Sequence, residues 1–364
     1  MKRGLVVLDP AEIPPGELEQ RVGALQAELR ARGLAAALVY ADVYHSGDLG
    51  YLSNICLYWN EAMLAVPAAG KAALLTKLSA RVANWWRATS NLEDFRSGRV
   101  LATLAEGFLA EQGPGGVGLV ELDWWPDKLA ADVTAAAGGR EVTDLGSVVR
   151  RARQAPSPAE AVLLRQAAAL TARSVAAALG DGLSNRERAG QAELTARLGG
   201  AEDVNLYCHS SSADADTVEV VSEYRGYWTG AARVLAGPGA GWAAPLAAGY
   251  QAAAAALAAG VTPAAVCAAG RAALAAFGTD LSTGARVDLI QHTDLETDGG
   301  YRYRADSAEP LADGAVVTLR VELGLPDGST AVLADTYEAG PGTASCLTSA
   351  AAGPVISASE APAR

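Results

Sequence analysis

The stretch VEVVSEYRGYWTGAARV, residues 218–234, decides the reading of the C-terminal half of the chain. It begins as a strand, turns at Gly226, and runs on through Tyr227 and Trp228 to a lone Arg233. A strand pair ending in Glu, Tyr, Arg and Trp has the make-up of a site wall. A catalytic carboxylate would be expected soon after Trp228, yet the sequence has Thr229, Gly230 and Ala231 there.

Working outward, strands are expected over 203–210, 216–225, 227–236, 286–292, 314–324 and 330–339. Two Ala-rich helices interrupt them. One covers about 242–259, and the other starts with Thr262 as cap and Pro263 at its first position, ending at Gly278. Upstream, Ser157, Pro158 and Glu160 form a capping box that opens a long helix of about 158–180. Ser184 and Glu187 open a second helix, which Gly199-Gly200 closes. The order helix, helix, strands, helix, helix, strands suggests two related halves whose strands face one groove.

Residues 1–150 read differently. A helix over 17–33 stops at Gly33, a buried strand follows over 34–41, and 61–76 holds two strands around a Pro/Gly turn. Further on, VGLVELDWW is a strand and WPDKLAADVTAAAGG a helix. The fold class is therefore α/β (α+β). The expected domains are 1–150, then 151–348, with 349–364 as a flexible tail.

Composition narrows the function classes. A net charge of −12 over 364 residues argues against nucleic acid or an anionic membrane as the main partner. No apolar run is long enough to span a bilayer, and the start MKRGLVVLDPAEIPPGE lacks a signal-peptide pattern. Cys56, Cys208, Cys267 and Cys346 are far apart, so reduced thiols in the cytoplasm are expected.

Five motifs in order resemble one family. They are RQAPSPAEAVLLRQAAALT, SEYRGYWTGAARV, HTDLETDGG, EPLADGAVVTLRVELG and VLADTYEAG, preceded by NEAMLAVPAAGKAALLT in the N-terminal domain. The chain resembles the creatinase/aminopeptidase P/prolidase family, which implies a pita-bread C-terminal domain. Metallopeptidases of that family hold two divalent metals on Asp, Asp, His, Glu and Glu. By the resemblance, the first Asp falls on Glu219, the second on Gly230 and the His on His292. The next Glu falls on Arg320 by strict count or on Glu322 by local pattern, and the last on Ala334. Glycine and alanine cannot ligate, so no metal and no other cofactor is expected. Creatinase itself uses no metal, and YWTGAAR is similar to its context. The Glu that creatinases carry before the Arg is Ala232 here.

The expected function is a metal-independent, creatinase-like hydrolase or lyase. It would act on a C–N bond of a small amino-acid-like substrate, as a homodimer, with a place in secondary metabolism. The candidate catalytic residues are His292, Glu219, Glu322 and His209. A histidine near carboxylates suits proton transfer near neutral pH, while His209 reads equally as a hairpin residue. Arg233, Arg320, Tyr227, Trp228 and Tyr303 are the candidate substrate contacts. An arginine fork fits a carboxylate, although a lone Arg at a strand end is commonly an internal ion pair. His45 reads as a loop residue, and Trp85-Trp86 and Trp124-Trp125 as packing or subunit contacts. The alternatives are a pseudoenzyme that binds a ligand or protein and, further off, a metallopeptidase with rearranged ligands.

Overall fold

The computed structural model describes residues 8–57, 59–180, 182–212, 215–237, 239–278, 284–292, 301–302, 307–349 and 355–357. It divides into two compact units, the first ending at Arg153 and the second starting at Gln154.

The first unit runs α1 (Glu17–Ala31), β1 (Leu34–Ala41), α2 (Gly47–Ser53), β2 (Ala62–Pro67), β3 (Ala73–Thr76), α3 (Ala83–Thr89), β4 (Asp94–Ser97), α4 (Leu101–Ala110), β5 (Gly116–Val120), α5 (Asp127–Ala136), β6 (Val142–Gly146) and α6 (Val148–Ala152). Its six strands form one mixed sheet in the order β4-β3-β2-β1-β5-β6. β1 is apolar throughout because both sheet faces are covered. Ala37 and Val39 alternate with Ala36 and Leu38 between two separate cores. Trp86 fills one of these and stacks on Phe95 at 5.5 Å, so this tryptophan packs the interior. Trp125 belongs to the other core, and its indole N–H donates to the Val120 carbonyl at 2.9 Å.

The second unit runs α7 (Pro158–Ala177), α8 (Asn185–Leu198), β7 (Asp203–Ser211), β8 (Ala215–Tyr224), β9 (Tyr227–Ala236), α9 (Ala243–Ala256), α10 (Pro263–Ala276), β10 (Arg286–Gln291), β11 (Tyr301–Arg302), β12 (Val316–Gly324), β13 (Thr330–Ala339), β14 (Ala344–Cys346) and β15 (Val355–Ser357). Both capping boxes form as expected, Ser157 with Glu160 and Ser184 with Glu187. Each such cap stabilises its helix by about 1 kcal/mol.

The main sheet of this unit has the order β11-β10-β12-β13-β9-β8-β7. Val218, Val220, Ala231 and Leu235 pack on Val175 of α7, Leu179 just past its end, and Ala192 of α8. Leu289, Leu319, Val321 and Leu333 pack on Leu246 of α9 and Val266 and Leu274 of α10. Each half thus has its own helix pair, and the halves join where β9 meets β13 through one register pair, Ala232 with Ala334.

Val355–Ser357 is a short strand parallel to Val234–Ala236 of β9, where it takes the edge that β13 leaves open. Among the described residues no helix is long and apolar enough to cross a membrane. No disulfide joins any of the four cysteines.

Candidate functional site

The turn after Tyr224 fixes the geometry of the site. Arg225 and Gly226 both have positive φ, 54° and 81°, which is the two-residue hairpin geometry that glycine favours. Tyr224 therefore faces Tyr227, and every pair beyond is set: Val221 faces Gly230, Glu219 faces Ala232 and Val218 faces Arg233. Facing residues share one side of the sheet, and neighbours alternate sides.

On one side, a single rank crosses the sheet. It reads Glu219, Ala232, Ala334, Arg320 and Asp288 across β8, β9, β13, β12 and β10. Arg320, not Glu322, therefore stands directly opposite Ala334. The two alanines leave room above the sheet, and Arg320 reaches over them to Glu219. Its Nε donates to Glu219 Oε1 at 2.8 Å and its Nη2 to Oε2 at 3.1 Å, a bidentate pair. Its Nη1 donates to Glu322 Oε2. The two carboxylates outweigh the burial that would depress it, so the guanidinium pKa is raised. Arg320 has five N–H groups, and three are used.

His292 lies one residue past β10, buried, on the same side. Its Nε2 is 2.8 Å from where a side-chain carbon on Gly230 would lie. The structure thus brings Glu219, Arg320 and Glu322 into one cluster and sets His292 above the neighbouring rank.

Gly230 is held by β13. Its N–H donates to the Thr336 hydroxyl at 3.0 Å, and that hydroxyl donates back to the Gly230 carbonyl at 2.9 Å. The Thr336 proton is then spent, so the Thr318 hydroxyl, 2.8 Å away, donates to it. A side chain here replaces a ladder bond between the two halves. Thr336→Val is expected to destabilise the second unit by about 2–3 kcal/mol, since it leaves buried backbone groups unmatched. Urea unfolding checks this, and a loss near zero would show that the strands close up without the hydroxyl.

Other expected site residues lie elsewhere. Arg233 leaves β9 on the helix-covered side, opposite to Glu219. It is 3% exposed, pairs with Asp335 at 2.9 Å and donates to the carbonyls of Ala232 and Ala334. It is an internal ion pair and not a substrate contact, because alternation from the Gly226 turn directs it away from the groove. Burial alone would lower its pKa, but Asp335 raises it overall. Tyr250 of α9 donates to the same carboxylate, and burial together with Asp335 holds its phenol protonated. Tyr227 is also on the helix side, donating to Glu160 of α7 at 3.2 Å. Trp228 is buried opposite Glu223 and stays on the groove side, in the rank before Gly230.

His209 sits on β7 with its Nε2 2.7 Å from the Thr330 carbonyl, which obliges that nitrogen to donate. Thr217 donates to the same carbonyl, and Asp327 accepts from Ser211 and Ser212 nearby. His209 thus helps lace the β7–β8 and β12–β13 hairpin tips together. Cys208 has its pKa raised by burial, which disfavours a thiolate nucleophile. Tyr303 lies outside the described residues, as do 293–298 after His292. In the first unit the His45 ring lies against Trp124 at 4.5 Å, tilted by 41°, and its Nδ1 pairs with Asp42 at 3.2 Å.

No family model matches the sequence, and no curated protein matches it. Solved structures do resemble it. Prolidase from Pyrococcus horikoshii has a TM-score of 0.73 at 16% identity, covering 92% of this chain and 99% of its own. X-Pro aminopeptidase from Thermotoga maritima has 0.74 at 16%, with the same coverages. Dipeptidase PepE from Mycobacterium ulcerans has 0.74 at 20%, covering 96% and 99%. The chain has the pita-bread fold.

A dinuclear metal centre does not fit this pita-bread groove. Gly230 and Ala334 carry no donor atom, and Arg320 already brings a cation to Glu219 and Glu322. Among the described residues no three His, Cys, Asp or Glu side chains come together as a metal would need. Sequence reasoning missed Thr318 and Thr336, whose role in the pita-bread midline depends on which strands meet there. It also missed Asp335, the partner of Arg233.

Proposed function

We propose that the protein is a pita-bread hydrolase or lyase that breaks a C–N bond of a small amino-acid-like substrate without a dinuclear metal. The observation that carries this is Arg320 held between Glu219 and Glu322. Its two remaining N–H groups can take a substrate carboxylate. The spare lone pairs of the two carboxylates can take a cationic or amide nitrogen. With two negative charges against one positive, the cluster favours a zwitterion or cation over an anion. His292 moves the proton to or from the scissile nitrogen. The resembling structures are named as peptidases, which supports hydrolysis over unrelated chemistries.

The test is metal analysis of the purified protein, with turnover followed in the presence and absence of chelator. Suitable substrates are creatine, other N-amidino amino acids, N-acyl amino acids and X-Pro dipeptides. The expected result is turnover that survives chelation. Stoichiometric metal with chelator-sensitive activity would falsify the reading. His292→Ala is expected to lower kcat by about 10²–10⁴, the usual worth of a positioned acid/base. Unchanged turnover in that variant would remove His292 from the chemistry. A second reading, a ligand-binding module, draws on the same cluster, whose three charged groups already satisfy one another. Saturable ligand binding with no turnover would favour it.

A further inference from the structure

We infer that Gly230 is the positioning residue for His292, its missing side chain being the seat on which the imidazole rests. This builds on the proposed acid/base role of His292. Three observations carry it. A Cβ on Gly230 would lie 2.8 Å from His292 Nε2, closer than such atoms approach in folded proteins. The same point is 3.4 Å from the methyls of Thr318 and Val221, so strands of both halves wall the space. Gly230 is also not among the positive-φ residues, and it lies in regular register with Val221. The backbone thus makes no demand for glycine, which in a strand interior costs stability relative to alanine. The demand comes from the histidine.

The seat is tied in place as well as open. Thr336 Oγ1 holds both the N–H and the carbonyl of Gly230, so this stretch of β9 is fastened to β13. The neighbouring methyls leave little room sideways. Any side chain at this position must displace the imidazole, which reaches the space from β10 in the opposite half. Gly230 thereby sets the position of Nε2 relative to the Glu219–Arg320–Glu322 cluster one rank away.

The test reads the imidazole itself. The chain has three histidines, so protein labelled with ¹³C at histidine Cε1 gives a short spectrum, and His292→Gln assigns the signal. Gly230→Ala is expected to move the His292 resonance, with those of His45 and His209 unchanged. Thr318→Ser keeps the hydroxyl that Thr336 needs and removes one methyl wall. It too is expected to move the His292 signal, with the fold intact. A His292 signal identical to the parent's in the folded variants would overturn the inference. Should Gly230→Ala fail to fold, Thr318→Ser alone decides. The two ideas fail separately, because full turnover by His292→Gln would sink the acid/base role while a shifted resonance would still establish the seat.

Discussion

Arg320→Met is expected to lower the melting temperature of the second unit by about 10 °C. The variant leaves Glu219 and Glu322, both largely buried, facing each other without the cation that holds them. Breaking a buried pair in this way costs about 3–5 kcal/mol. For a unit of this size each kcal/mol corresponds to roughly 2–4 °C. The like-charge contact should make Arg320→Met worse than the double variant Arg320→Met/Glu219→Met. In the double variant the carboxylate is gone and an apolar pair packs over Ala232 and Ala334. A calorimetric series of the parent, the two single variants and the double checks this. Equal losses in Arg320→Met and in the double variant would show that the guanidinium is not what holds Glu219. Turnover should be lost in every variant that lacks Arg320, including any that regains stability, since the carboxylate anchor is missing from all of them.

Arg233→Met should cost a similar amount for a different reason. Asp335 would keep Tyr250 and Thr348 as donors but lose its buried counter-ion. The carbonyls of Ala232 and Ala334 would lose a donor at the one place where β9 and β13 are in register. A loss of about 3–5 kcal/mol is expected, read as a lower urea midpoint with an unchanged slope. Arg233→Lys should recover little of it, because a single ammonium cannot reach two carbonyls and a carboxylate in the planar arrangement of a guanidinium. A loss below 1 kcal/mol in Arg233→Met would show that the ion pair is replaceable by packing. In contrast to the Arg320 variants, a folded Arg233 variant should keep its affinity for substrate, because Arg233 faces the helices.

Those opposite roles for two arginines show what was legible in the sequence. The caps at Ser157, Ser184 and Thr262 were readable because each signal spans a few consecutive residues. The strands 227–236 and 330–339 were readable for the same reason. The side taken by Arg233 was in principle readable too. A two-residue turn at Arg225-Gly226 places Arg233 opposite Val218, and Val218 sits in an apolar stretch that must face the core. Counting residues from the turn is enough to assign Arg233 to the helices. The partner of Arg320 was not readable. Glu219 and Arg320 are about a hundred residues apart, and they meet because β9 and β13 touch at Ala232 and Ala334. Two alanines carry no local signal that they belong side by side. The seat under His292 was hidden for a similar reason, since Gly230 reads as a lost ligand until the imidazole is seen above it.

The midline between the halves has a consequence for how such a groove changes over time. One backbone register pair, the Thr336 hydroxyl, the Arg233 fork, the Arg320–Glu219 pair and the His209 and Asp327 contacts at the hairpin tips span it, whereas the strands within each half are joined by full ladders. The spacing of the two walls is therefore written in a handful of side chains. Exchanging one of them can widen or narrow the space by fractions of an ångström without unpicking either half. A lineage that abandons one chemistry can retune the gap for another in a few substitutions, while the helices behind it continue to fold unchanged.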